Sequence, residues 1–231
     1  MIYNIDFLIS AMVILLLILW HFLGQKRAED LNNRVFLFFA FLGTADVVAE
    51  FFSNYYITSH NSDMGTSAVI VTTIFYLLQA LLPVTFICYI QTLYEQKIIS
   101  AKKMFISSVP TLVLISVILT NPFTEKLFYF DVTAGYVKGP WYLLMYVSAL
   151  GHFAAALLLI LLWRKKLGHQ KVKILLEIFV ISGAGVVLQM FCQSLLMTGF
   201  GIMIIVPVRR REPAHPPDHP NRKRSVGCVV R

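Results

Sequence analysis

Apolar runs long enough to cross a lipid bilayer constrain this chain more than any other feature. An α-helix needs about 20 apolar residues to span a hydrocarbon core roughly 30 Å thick, and barrel strands need far fewer. Residues 5–23, 35–52, 68–93, 104–120, 141–163 and 174–206 all approach or exceed that length. Backbone polar groups in lipid must be satisfied within the segment, so the runs predict helices. Composition agrees: 58% of residues are hydrophobic and 14% are charged, far from the roughly 25% charged usage of soluble domains. The fold expected is an all-α integral membrane bundle.

Orientation follows from where the basic residues fall. The formal charge is +8, and Lys and Arg gather in short segments between apolar runs, a pattern of orientation signals and lipid contacts rather than of nucleic-acid binding. Lys26, Arg27 and Arg34 follow the first run, Lys97, Lys102 and Lys103 follow the third, and Arg164 to Lys173 follow the fifth. The segment 54–67 after the second run holds no Lys or Arg. Residues 174–206 are too long for one span, and Gln193-Ser194 offers a turn, which splits them into a sixth helix near 174–191 and a short seventh near 195–206. About seven helices then place the N-terminus outside and every strongly basic segment inside, the arrangement of a multi-pass protein of a cell membrane. The first run lacks a basic region before it and a small-residue cleavage site after it, so it reads as a span and not as a removable leader.

The organisation is accordingly a membrane domain over 1–206 and a tail over 207–231. The tail is basic and rich in Pro and Arg, without apolar periodicity, and is expected to be disordered. It reads as a polybasic lipid anchor, as a solvated tail, or as the product of a reading-frame shift near Val206. The third reading accounts for both the abrupt change of composition and the short seventh helix. Cys88, Cys192 and Cys228 show no paired spacing.

Residues 121–140, NPFTEKLFYFDVTAGYVKGP, form the longest non-hydrophobic interruption on the outer side. Residues 126–131 and 136–139 are rich in aromatic and β-branched types, and Val132 to Gly135 supplies a turn, so a β-hairpin-like cap between the fourth and fifth helices is expected. Phe128, Tyr129, Asp131 and Tyr136 are its candidate lid residues. Beneath it, Asp46 and Glu50 lie four apart on the second helix, hence on one face, and carboxylates inside a span usually face the bundle interior or water. Gln79, His152, Gln189 and Gln193 fall at comparable depths on other helices and complete an expected polar cavity open to the outside. The bland alternatives are snorkelling for Glu50 and interhelical hydrogen bonding for His152 and the glutamines, whereas the deeper Asp46 favours a functional role. Glu177 near Lys171 and Lys173 reads as an interfacial ion pair, and Met190, Met197 and Met203 as packing residues.

No catalytic constellation is visible: the chain has no glycine-rich phosphate loop, no HExxH and no GxSxG, and its histidines are scattered. Neither a metal site nor a cofactor is expected. Asn121-Pro122-Phe123, Phe128 to Asp131 and Gly135-Tyr136-Val137-Lys138-Gly139-Pro140-Trp141-Tyr142 resemble the seven-helix N-terminal sensor region of bacterial histidine kinases and GGDEF diguanylate cyclases. Leu195 to Gly201 resembles the versions fused to diguanylate cyclases. The resemblance implies an input domain that binds an unknown small-molecule signal, sits in the bilayer as a homodimer and has no enzymatic activity itself. No GGDEF or kinase motif follows Val206, so the resemblance implies a sensor without its effector, and its output activity is not carried over. A competing expectation is a small transporter or channel using Asp46 and Glu50 as ion or proton ligands. Transporters usually carry repeated halves, and Pro83 and Pro110 mark no symmetric segments.

Overall fold

A computed structural model describes residues 31–58, 65–95, 101–131 and 135–170, with scattered helical positions between 9 and 20 and between 172 and 183. Four long helices and one hairpin make up the continuous part: α1 (Leu31–Thr58), α2 (Gly65–Glu95), α3 (Ala101–Thr124), β1 (Phe128–Asp131), β2 (Gly135–Lys138) and α4 (Leu143–Leu167). Each of the four helices is long and apolar enough to cross a membrane, so this is a membrane protein. The first, sixth and seventh expected spans and the tail lie wholly or largely outside the described residues.

The helices overrun the apolar runs that announced them. The fourth run closes at Thr120, yet α3 continues through Asn121, Pro122 and Phe123 to Thr124. Pro122 has no N–H, so the Ile118 carbonyl four residues earlier loses its helical donor, and the helix stops within a turn of it. The helix ends where Glu125 turns left-handed at φ 53, its N–H still bonded to the Asn121 carbonyl at 2.8 Å.

α2 is the hub, packed against α1, α3, α4 and β1. It runs antiparallel to α1 in one steady register: Phe36 meets Tyr89 and Phe39 meets Phe86, with ring centroids 5.8 and 6.0 Å apart, and Ser53 meets Thr72 through a 2.9 Å hydroxyl hydrogen bond. Lipid tails are as apolar as leucine, so helices in a bilayer associate through close packing and such bonds rather than by escaping water. At one end of the bundle, Tyr94 of α2 stacks on Trp163 of α4, with centroids 4.0 Å apart, and is covered on its ring by Lys166 at 4.4 Å. Gln91 Nε2 reaches Ser107 of α3 there at 3.3 Å. The start of α1, the end of α2, the start of α3 and the basic end of α4 therefore share one end, and the hairpin occupies the other.

Two buried clusters follow from this arrangement. Phe36, Phe39, Phe86, Ile90 and Ile160 fill the half towards the basic end; Ala49, Tyr76, Ile118, Leu127, Phe128 and Met145 fill the half beneath the hairpin. The outward faces of α3 and α4 stay apolar and exposed, as at Val113, Phe123, Leu143 and Leu162. Water would tolerate such a surface poorly, whereas lipid is its natural solvent.

Candidate functional site

Asp46 and Glu50 are the most deeply buried ionisable groups of the described bundle, with 0% and 1% of their surface exposed. Four residues on one helix bring them about one turn apart on the same face. None of their four carboxylate oxygens has a hydrogen-bond partner among the described residues. A buried ionised carboxylate without a partner is among the costliest groups a fold can hold. Neighbouring polar groups, by contrast, are satisfied: Ser53 and Thr72 bond each other across the interface, and Asn54 Nδ2 donates to the Glu50 backbone carbonyl at 2.9 Å.

The α1–α2 register sets Gln79 at the level of Asp46, and Tyr76 at the level of Ala49 beside Glu50. Tyr76 is also where the hairpin docks. Its hydroxyl bonds the Tyr136 hydroxyl, its ring lies 5.3 Å from Phe128 and 6.1 Å from Tyr142, and Phe128 stacks on Tyr136 at 6.0 Å. The hairpin and the carboxylate pair thus meet the same stretch of α2.

Local sequence explains why the hairpin holds its shape. β1 pairs antiparallel with β2, Phe128 opposite Lys138 and Phe130 opposite Tyr136. Gly135 takes φ 72 at the turn, a conformation costly for other residues. Asn121, 1% exposed at the end of α3, accepts the N–H groups of Leu127 (2.7 Å) and Phe128 (3.2 Å) on Oδ1 and donates from Nδ2 to the Phe128 carbonyl (2.9 Å). Its amide therefore serves β1 as a neighbouring strand would, covering backbone groups that an edge strand otherwise leaves open. On the far side, Gly139 N–H bonds the Leu127 carbonyl at 2.8 Å, and Trp141 N–H bonds the Lys126 carbonyl at 2.9 Å.

Both lysines of the hairpin are engaged by rings. Lys126 Nζ lies 4.4 Å from the Trp141 ring centroid and Lys138 Nζ 4.4 Å from that of Tyr142, and partial burial lowers the Lys138 ammonium below its usual range. Charges held in this way do not behave as free orientation signals.

The expected site residues separate into groups. Asp46, Glu50 and, by register, Gln79 come together; Phe128, Tyr129, Asp131 and Tyr136 all lie on the hairpin, with Phe128 buried and Asp131 exposed. His152 is committed elsewhere. Its Nδ1–H donates to the Ser148 carbonyl at 2.7 Å, which leaves Nε2 to accept from the Thr111 hydroxyl at 2.9 Å, tying α3 to α4. Gln189 and Gln193 lie outside the described residues. Glu177 pairs with Lys173 at 3.9 Å on an exposed helical face, a contact worth little. No group of three or more His, Cys, Asp or Glu is placed to hold a metal among the described residues. The sequence reading missed Asn121 as a staple and Tyr76 as a docking post; the Asn-Pro-Phe motif signalled the first, and nothing in an apolar run signalled the second. Comparison with protein-family models, curated proteins and solved structures finds no match.

Proposed function

We propose that this chain is the membrane-embedded sensory input domain of a bacterial signal-transduction protein of the histidine kinase or diguanylate cyclase type, responding to an extracellular or membrane signal. The observation that carries this reading is the fully buried, unpartnered Asp46–Glu50 pair on a helix whose partner, α2, also seats the hairpin. A ligand engaging carboxylates of this kind has differential free energy with which to shift helix packing. The resemblance of residues 121–142 to the sensor region supplies the class. In this reading the hairpin faces outside, the basic end faces the cytoplasm, the domain works as a homodimer in the cell membrane, and the chain carries out no catalysis.

The test is a fusion of residues 1–206 to a cytoplasmic diguanylate cyclase domain. Asp46→Ala and Asp131→Ala are each expected to change cyclic-dinucleotide output on the order of fivefold or more, the range of ordinary allosteric coupling, with membrane insertion unchanged. Unaltered output from both variants sinks the assignment. The same unpartnered carboxylates favour a second reading, a small transporter or channel with Asp46 and Glu50 as ion or proton ligands; ion flux in proteoliposomes that is abolished by Asp46→Asn selects it.

A further inference from the structure

The charge of the buried pair has no visible counterpart. Asp46 and Glu50 together carry two negative charges when ionised, and none of their carboxylate oxygens has a hydrogen-bond partner among the described residues. One divalent cation cancels both charges at once, whereas an ammonium group or a monovalent metal ion leaves one negative charge buried. The available atoms among the described residues are hard oxygens: four carboxylate oxygens, each buried and each without a hydrogen-bond partner there. The imidazole of His152 is already spoken for by Ser148 and Thr111.

A further oxygen comes from the partner helix. Pro83 lies inside α2 and has no N–H, so the backbone carbonyl four residues earlier, that of Gln79, loses its helical donor. The α1–α2 register sets that residue at the level of Asp46. Hard divalent cations take six or more oxygen ligands, and Mg²⁺ in particular is held by one or two carboxylates with water filling the remaining positions. A site built on two carboxylates, with no third acidic or imidazole ligand among the described residues, has that composition.

We propose that Asp46 and Glu50 of α1, with a carbonyl oxygen of Gln79 on α2, form a binding site for one hard divalent cation beneath the hairpin. The site deepens the sensory reading, since it names what the carboxylate pair binds, and it rests on the same placement of that pair. A cation there bridges α1 to α2 next to Tyr76, so occupancy is coupled to the seating of the hairpin.

The test uses the full chain in lipid nanodiscs with Mn²⁺ as the probe, free metal being counted by its electron paramagnetic resonance signal. The expected result is one Mn²⁺ per chain, displaced by Mg²⁺ or Ca²⁺, with affinity at least about tenfold weaker in Asp46→Asn and in Glu50→Gln. Thermal unfolding of the unmodified protein provides a check independent of the variants: Mn²⁺ is expected to raise its midpoint, and to leave that of the Asp46→Asn/Glu50→Gln double variant unchanged. No bound Mn²⁺, or binding undiminished in the double variant, overturns the proposal. Output of the cyclase fusion that responds to Asp46→Ala without any Mn²⁺ binding overturns the cation while the sensory reading stands. Binding that is lost in both single variants supports the site even where output is unaffected, and then it is the sensory reading that fails.

Discussion

Asn121→Ala is expected to unseat the hairpin from the bundle, at a cost of about 3 kcal/mol. One side-chain amide makes three hydrogen bonds to the backbone of Leu127 and Phe128 at a position 1% exposed to solvent. Alanine leaves all three backbone groups unpaired, and buried groups left unpaired cost roughly 1–3 kcal/mol each, with relaxation recovering part of the sum. Leu127 and Phe128, which fill the cluster around Tyr76, then lose the anchor that holds them in place. Thermal unfolding in detergent, followed together with limited proteolysis of residues 125–140, reads the effect. A midpoint within a degree or two of the unmodified protein, with no new cleavage, contradicts it.

Gly139→Ala is expected to be at least as damaging, for a different reason. A Cβ at this position lies 2.2 Å from the Lys126 carbonyl oxygen and 2.5 Å from its carbon. Those are backbone atoms, so no rotamer change relieves the clash. The two strand ends must separate, breaking the bonds from Gly139 to Leu127 and from Trp141 to Lys126 and lifting Lys126 from the Trp141 ring. Overpacking of this severity costs about 3 kcal/mol or more. Gly135→Ala is the informative contrast. Its Cβ meets nothing within 4 Å, and only the left-handed φ of 72 opposes it, a penalty of roughly 1 kcal/mol. Equal effects of the two substitutions, compared by the same unfolding measurement, contradict the close-approach argument.

The hairpin was legible in the sequence because its signals are local. Aromatic and β-branched residues flank a turn glycine, and the strands found, Phe128–Asp131 and Gly135–Lys138, fall within two residues of those expected. Helix existence was legible for a similar reason, since membrane-length apolar runs leave few alternatives. Helix ends were not. Hydropathy sees the end of an apolar run, whereas α3 carries on for a further turn because Asn121 finds its partners in a strand that lies later in the chain. An Asn-Pro pair by itself reads as the start of a turn.

The carboxylates were legible through their cost, and their common face follows from helical spacing alone. What surrounds them was not. The Tyr76–Tyr136 bond joins residues sixty positions apart, and the placement of Gln79 beside Asp46 follows from a packing register that only Phe36–Tyr89, Phe39–Phe86 and Ser53–Thr72 reveal. His152 shows the same limit from the opposite side: its depth suggested convergence with the carboxylates, and the bonds to Thr111 and Ser148 assign it to the contact of α3 with α4.

The central claim is that the hairpin end of the bundle faces outward and the basic end of α4 faces the cytoplasm, and cysteine labelling in intact cells tests it most directly. With Cys88, Cys192 and Cys228 replaced by serine, single cysteines are introduced as Thr124→Cys, at the exposed end of α3 beside the hairpin, and Lys165→Cys, at the exposed basic end of α4. A membrane-impermeant maleimide is expected to modify the first in intact cells and the second only after lysis. Modification of Lys165→Cys in intact cells, with Thr124→Cys protected until lysis, contradicts the account.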